Sequence, residues 1–152
     1  MSTTEQEEAD YKVSLSAKTN FTTPHAAKFK SSHIELHSLF GQLDFVIDLN
    51  KSSPQSHRSL ELSFSKDIPT GTYSADGSDG LFYQLLYREY RGRADDSEGT
   101  DFLAKSGKVR IETTWSGYST RFILRYDVIT KSAEGKSISL KGKTVIYAEF
   151  FP

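Results

Sequence analysis

An all-β fold is what this sequence predicts, on three observations. Apolar residues alternate with polar ones in run after run, clusters of Gly, Pro, Asn, Asp and Ser separate the runs, and nowhere do strands interleave with long amphipathic helices. Alternation with period two marks strands buried on one face, and the missing helices argue for an antiparallel rather than a parallel sheet. The expected architecture is an antiparallel β-sandwich, a two-layer, jelly-roll-like arrangement. A closed calycin-like β-barrel is the alternative, because length and strand number suit both.

Residues 1–10 read as a flexible acidic tail, since Glu5, Glu7, Glu8 and Asp10 carry its charge and nothing bulky is available to bury. A single β domain is expected over 11–152. Tyr11, Val13 and Leu15 alternate with Lys12, Ser14 and Ser16 as its first strand. Between Lys28 and Phe40 two signals compete. Thr23-Pro24 could cap and start a helix ending at Gly41, but Ile34 and Leu36 alternate with His33, Glu35 and His37 and no apolar stripe recurs at helical spacing, so a strand is expected. Leu43, Phe45, Ile47 and Leu49 against Asp44, Val46 and Asp48 form the cleanest strand of the chain. Leu60, Leu62 and Phe64 repeat its pattern beyond the polar turn residues Asn50 to Pro54, which predicts a hairpin with a long loop.

Pro69, Gly71, Gly77 and Gly80 punctuate a turn region around Tyr73, after which residues 81–90 carry apolar groups on both faces, as a central strand would. Residues 92–99 are polar and acidic, the composition of a hairpin tip. Val109, Ile111 and Thr113 then lead through Trp115-Ser116-Gly117-Tyr118 into Phe122, Leu124, Tyr126 and Val128, a second hairpin. Ala133-Glu134-Gly135-Lys136 makes the next turn, and Ile138, Leu140, Ile146 and Phe150 form the last strand, with Gly142 marking a bulge or bend.

Composition narrows the classes of function. The 152 residues suit one domain, and 10 Phe, 8 Tyr and 1 Trp can build a core although only 36% of the chain is hydrophobic. With 19 basic against 20 acidic residues the net charge is -1, so no global field draws the chain to nucleic acid or an anionic membrane. Nucleic acid is therefore not an expected partner, and any such binding has to be local. Cysteine is absent, which removes disulfides, thiolate zinc sites and thiol nucleophiles together. Apolar runs such as Phe45-Val46-Ile47 fall far short of the ~20 residues of a membrane helix. Residues 1–10 lack the charge and apolar pattern of a signal peptide, so the cytoplasm is the expected compartment.

No catalytic signature survives inspection. Gly142-Lys143-Thr144 and Gly135-Lys136-Ser137 have Ser137 and Thr130 where a phosphate loop needs its first glycine. No Gly-x-Ser-x-Gly elbow or His-Glu-x-x-His pair occurs. The acidic runs Asp76 to Gly80 and Asp95 to Asp101 depart from the twelve-residue calcium loop and have the composition of ordinary turns. On a strand, His33, Glu35 and His37 would share one face at roughly 6.5–7 Å spacing, close enough for neighbours to share a metal ion.

Two aromatic constellations suit recognition better. Tyr87-Arg88-Glu89-Tyr90-Arg91-Gly92-Arg93 interleaves rings with guanidinium groups able to grip phosphate or carboxylate, and Trp115 with Tyr118 places two rings on a turn. The expected function is thus a non-catalytic binding or interaction module, engaging a glycan or protein through Trp115, Tyr118, Tyr87, Arg88, Tyr90, Arg91 and Arg93 without a cofactor. One alternative is a barrel carrier of a small apolar ligand; another is a metal-assisted enzyme using His33, Glu35 and His37.

Overall fold

The computed structural model describes residues 12–50, 57–90 and 99–151, and these form antiparallel β-strands with no helix among them. The strands are β1 (Lys12–Thr23), β2 (Ala27–Ser31), β3 (Ile34–Leu39), β4 (Gln42–Asp48), β5 (Arg58–Ser65), β6 (Gly71–Ser74), β7 (Phe82–Tyr90), β8 (Gly99–Ser116), β9 (Ser119–Lys131) and β10 (Ser137–Phe151). They make one sheet in the order β2-β1-β10-β9-β8-β7-β5-β4-β3, curled into a half-barrel. The acidic tail 1–10, Tyr11, the turn residues after Asn50 up to Pro54, and the polar segment 92–98 with Arg91 lie outside the described residues.

The segment expected as one strand between Lys28 and Phe40 is two strands on opposite edges of the sheet. A phase change in the sequence accounts for it. Inward positions are odd-numbered at Phe29 and Ser31 but even-numbered at Ile34 and Leu36, so one continuous strand would turn half of these side chains to the wrong face. Ser32 and His33 absorb the shift, and the chain steps from β2, which among the described residues pairs with β1 alone, to β3, which pairs with β4.

Elsewhere the alternation holds. Leu43 lies opposite Phe64 and Ile47 opposite Leu60 in the β4–β5 hairpin, and Ile111 opposite Leu124 in the β8–β9 hairpin. Tyr73, expected in a turn, belongs instead to the four-residue β6, which lies beside β8 after β7 has parted from it. Gly107 sits at this handover with φ +105, where a Cβ would collide with the Asp127 carbonyl, and the register of β8 shifts between Ala104 and Ser106. The irregularity expected at Gly142 lies across from it in β1, between Phe21 and Thr23. A Cβ on Gly142 would stand 2.5 Å from the Asn20 carbonyl oxygen.

The concave side holds the core. Phe64 meets Phe122 edge-on at 5.0 Å between ring centroids, Phe45 stacks on Phe64 at 5.7 Å, and Phe21 meets Tyr87 at 5.7 Å. Each buried Phe stabilises the fold by about 1.5–3 kcal/mol through area removed from water, and well-oriented ring pairs add roughly 0.5–1.5 kcal/mol. The buried Thr144 hydroxyl joins Thr19 at 3.0 Å and Tyr126 at 2.9 Å, which satisfies these polar groups inside the core. Burial pushes the Tyr126 phenol well above its usual range, partly offset by the hydrogen bond to Thr144.

Candidate functional site

Two tight hairpins deliver the exposed rings of this protein to one end of the fold. Leu39 and Gln42 close the β3–β4 hairpin, leaving Phe40 and Gly41 as a two-residue loop with φ of +53 and +80. Positive φ at both positions is the geometry of a type I′ turn, whose first position is normally Asn, Asp or Gly because an L side chain crowds its own backbone there. Phe40 occupies it and is 98% exposed. In the β8–β9 hairpin, Ser116 pairs with Ser119 around Gly117 (φ +59) and Tyr118. Trp115 is 65% exposed and Tyr118 73%. The two loops share an end because Phe45 and Phe64, just inside the β3–β4 turn, meet Phe122, just inside the β8–β9 turn. Leu39 is exposed beside Phe40.

At the opposite end a polar cleft of about 440 Å³ is lined by His33, Glu35, Asp48, His57, Arg88 and Tyr90. The sheet register builds it: the Asp48 amide donates to the His33 carbonyl at 3.0 Å, Asp48 lies opposite Ser59, and Ser59 lies opposite Arg88. His57, 7% exposed, bonds through Nε2 to Asp48 Oδ1 at 2.7 Å and stacks on Tyr90 at 4.6 Å between centroids. Arg88 grips the Asp101 carboxylate through Nε and Nη2 and lies 5.9 Å from the Tyr90 ring centroid. Those hydrogen bonds, the Asp101 one foremost, push its guanidinium pKa further up and keep it charged. Ser59 lines the same cleft, and no hydrogen bond among the described residues joins its hydroxyl to His57.

The structure therefore brings two sequence-derived constellations together and keeps the third apart. Arg88 and Tyr90 share the cleft with His33 and Glu35, while Trp115 and Tyr118 lie at the far end. Tyr87 is a core residue, 1% exposed, with its hydroxyl donating to Glu89 Oε1 at 3.0 Å. Burial, reinforced by the Glu89 charge, raises its phenol pKa strongly. Arg91 and Arg93 lie outside the described residues. Glu35 and His37 are exposed on β3 and bonded to each other at 3.3 Å, and His33 precedes the strand. No group of three or more His, Asp or Glu able to hold a metal ion occurs among the described residues. No helix among them is long and apolar enough to cross a membrane.

Sequence reasoning missed Phe40, Asp48 and His57. Phe40-Gly41 could have been read as a turn from the glycine, but nothing marks the residue before it as exposed. Asp48 and His57 come together only through the β4–β5 pairing across a loop. Comparison with family models, curated proteins and solved structures finds no match to this chain.

Proposed function

We propose that the protein is a non-catalytic binding module that takes a protein or glycan partner on the aromatic loops at one end of the β scaffold, with Phe40, Trp115 and Tyr118 as anchors. The observation that carries this reading is Phe40. A fully exposed ring gives the isolated chain no burial, and a left-handed backbone position costs an L residue about 1–2 kcal/mol. Both features disfavour the free protein, and both make sense for a ring held out rigidly for a partner to cover. Trp115 and Tyr118 supply the same kind of anchor from a neighbouring loop: large, stiff groups that lose little entropy on binding.

A barrel carrying an apolar ligand would need its Phe and Tyr rings to line a cavity, whereas Phe45, Phe64 and Phe122 pack against one another across the interior. We read the half-barrel accordingly as a flattened, sandwich-like scaffold with a filled core. The test uses a glycan array for sugars and photo-crosslinking from position 118 for proteins, each with wild type and with Phe40→Gly and Trp115→Ala. Binding that is lost in both variants while they stay folded supports the reading. Binding that neither variant disturbs refutes it.

A further inference from the structure

The convex face of the sheet carries a second, chemically different surface. Sheet register sets Lys143 on β10 opposite Arg125 on β9, and Arg125 opposite Arg110 on β8. These cations stand side by side on three adjacent strands at roughly 4.8 Å per step. Like charges directly opposed destabilise a sheet. Among the described residues Glu112 alone forms ion pairs with the row, meeting Arg110 at 3.6 Å and Arg125 at 3.3 Å. Two residues along the strands, Lys141, Asp127 and Lys108 form the next row on the same face. The two rows border a hollow of about 400 Å³ with five cations and one carboxylate, and Asn20, Thr22 and Thr72 add neutral hydrogen-bonding groups. Lys18 and Lys30, another directly opposed pair on β1 and β2, extend the positive field beyond its rim.

We propose that this hollow binds an oligophosphate, a small molecule carrying two or more linked phosphate groups. The volume lies in the range of small-molecule sites, which begins near 300 Å³. Arg110 and Arg125 can each take two phosphate oxygens in a planar fork, and Lys108, Lys141 and Lys143 add point charges around them. With Asp127 and Glu112 set against the five cations the surplus is three positive charges, still more than a single carboxylate or orthophosphate neutralises, so a chain of phosphates matches the charge better. No exposed aromatic ring borders the hollow to stack a base, so recognition rests on phosphate. The mutual repulsion within the row is then the cost of having the site preformed. This proposal is independent of the aromatic loops, which lie elsewhere, and each can fail alone.

Inorganic tripolyphosphate is the probe, measured by calorimetry and thermal shift at constant ionic strength against orthophosphate. One-to-one binding is expected, at least tenfold tighter for tripolyphosphate, with a rise in Tm. Lys143→Gln should weaken it at least fivefold without lowering the Tm of the ligand-free protein, because it removes repulsion against Arg125 and no ion pair; Lys141→Gln, across from Asp127, should also weaken it at least fivefold. Lys136→Gln, in the β9–β10 turn, should leave affinity unchanged. The proposal is overturned if tripolyphosphate gives no heat and no shift, if all anions act equally at one ionic strength, or if Lys143→Gln binds as wild type does. It is equally overturned if a duplex oligonucleotide or phosphatidylserine vesicle binds this face and tripolyphosphate fails to displace it.

Discussion

Replacing Phe40 separates backbone strain from side-chain packing. The ring is 98% exposed, so removing it forfeits essentially no burial. Its φ of +53 is the unfavourable quantity, worth about 1–2 kcal/mol for an L residue. Glycine relieves that strain but gives the unfolded chain more freedom, at about 0.5–1 kcal/mol, so Phe40→Gly should gain roughly 0.5–1 kcal/mol net. Asn tolerates the left-handed region and keeps a side chain, so Phe40→Asn should gain a similar amount. Phe40→Ala removes the ring and keeps the strain, so its stability should match wild type within about 0.5 kcal/mol. At this chain length 1 kcal/mol moves Tm by about 2–4 °C, which differential scanning fluorimetry in dilute solution resolves, with urea melts as a second measure. If Gly, Asn and Ala all lower Tm by several degrees, the ring is covered in the free protein. Phe40 is then a packing residue of the free protein and not a ring held out for a partner.

The indole of Trp115 should be quenched strongly by iodide, and Trp115→Ala should change stability by less than ~1 kcal/mol; protection with a loss of ~3 kcal/mol would mean that the loop folds back. Phe45→Ala should cost about 3–5 kcal/mol in a urea melt because Phe64 and Phe122 lose a ring partner, against less than ~1 kcal/mol for Asp44→Ala, and equal costs would overturn the register of β4. Tyr126 and Tyr87 both have phenol pKa values raised by burial above the ordinary 10.0, so the folded state holds their protons longer than the unfolded one does. Their contribution is full below pH 10 and lost as pH climbs above it, so Tm should fall beyond about pH 10, less steeply in Tyr126→Phe; an equally steep fall would remove Tyr126 as a cause.

How far the chain could be read depended on the range of the interaction. Alternation is local, so Phe45 against Asp44 and Leu124 against Arg125 reveal strand and face directly, and the Gly117 and Gly135 turns follow from one residue each. The parity change at Ser32-His33 was equally local, though it shows only when inward positions on its two sides are compared. The Asp48–His57 pair and the Lys143–Arg125–Arg110 row belong to no window of sequence. They arise from register between strands, where a one-residue slip would scatter them. An overall charge of -1 concealed the basic row because the compensating acids lie elsewhere along the chain.

The pairing of β1 with β10 also bears on how the protein is made. Ala17 lies opposite Ile146 and Leu15 opposite Ala148, so the first strand, once paired with β2, finds its second partner only after the last has been synthesised. At a ribosomal rate of roughly 5–20 residues per second, β1 and β2 wait about 6–24 seconds for β10, while the β4–β5 and β8–β9 hairpins can close as they emerge. During that wait the face that will receive Ala17 and Phe21 stands open to other chains. Lys18, Lys28 and Lys30, spaced along the waiting segment, set like charges against pairing with a second copy of it during that interval.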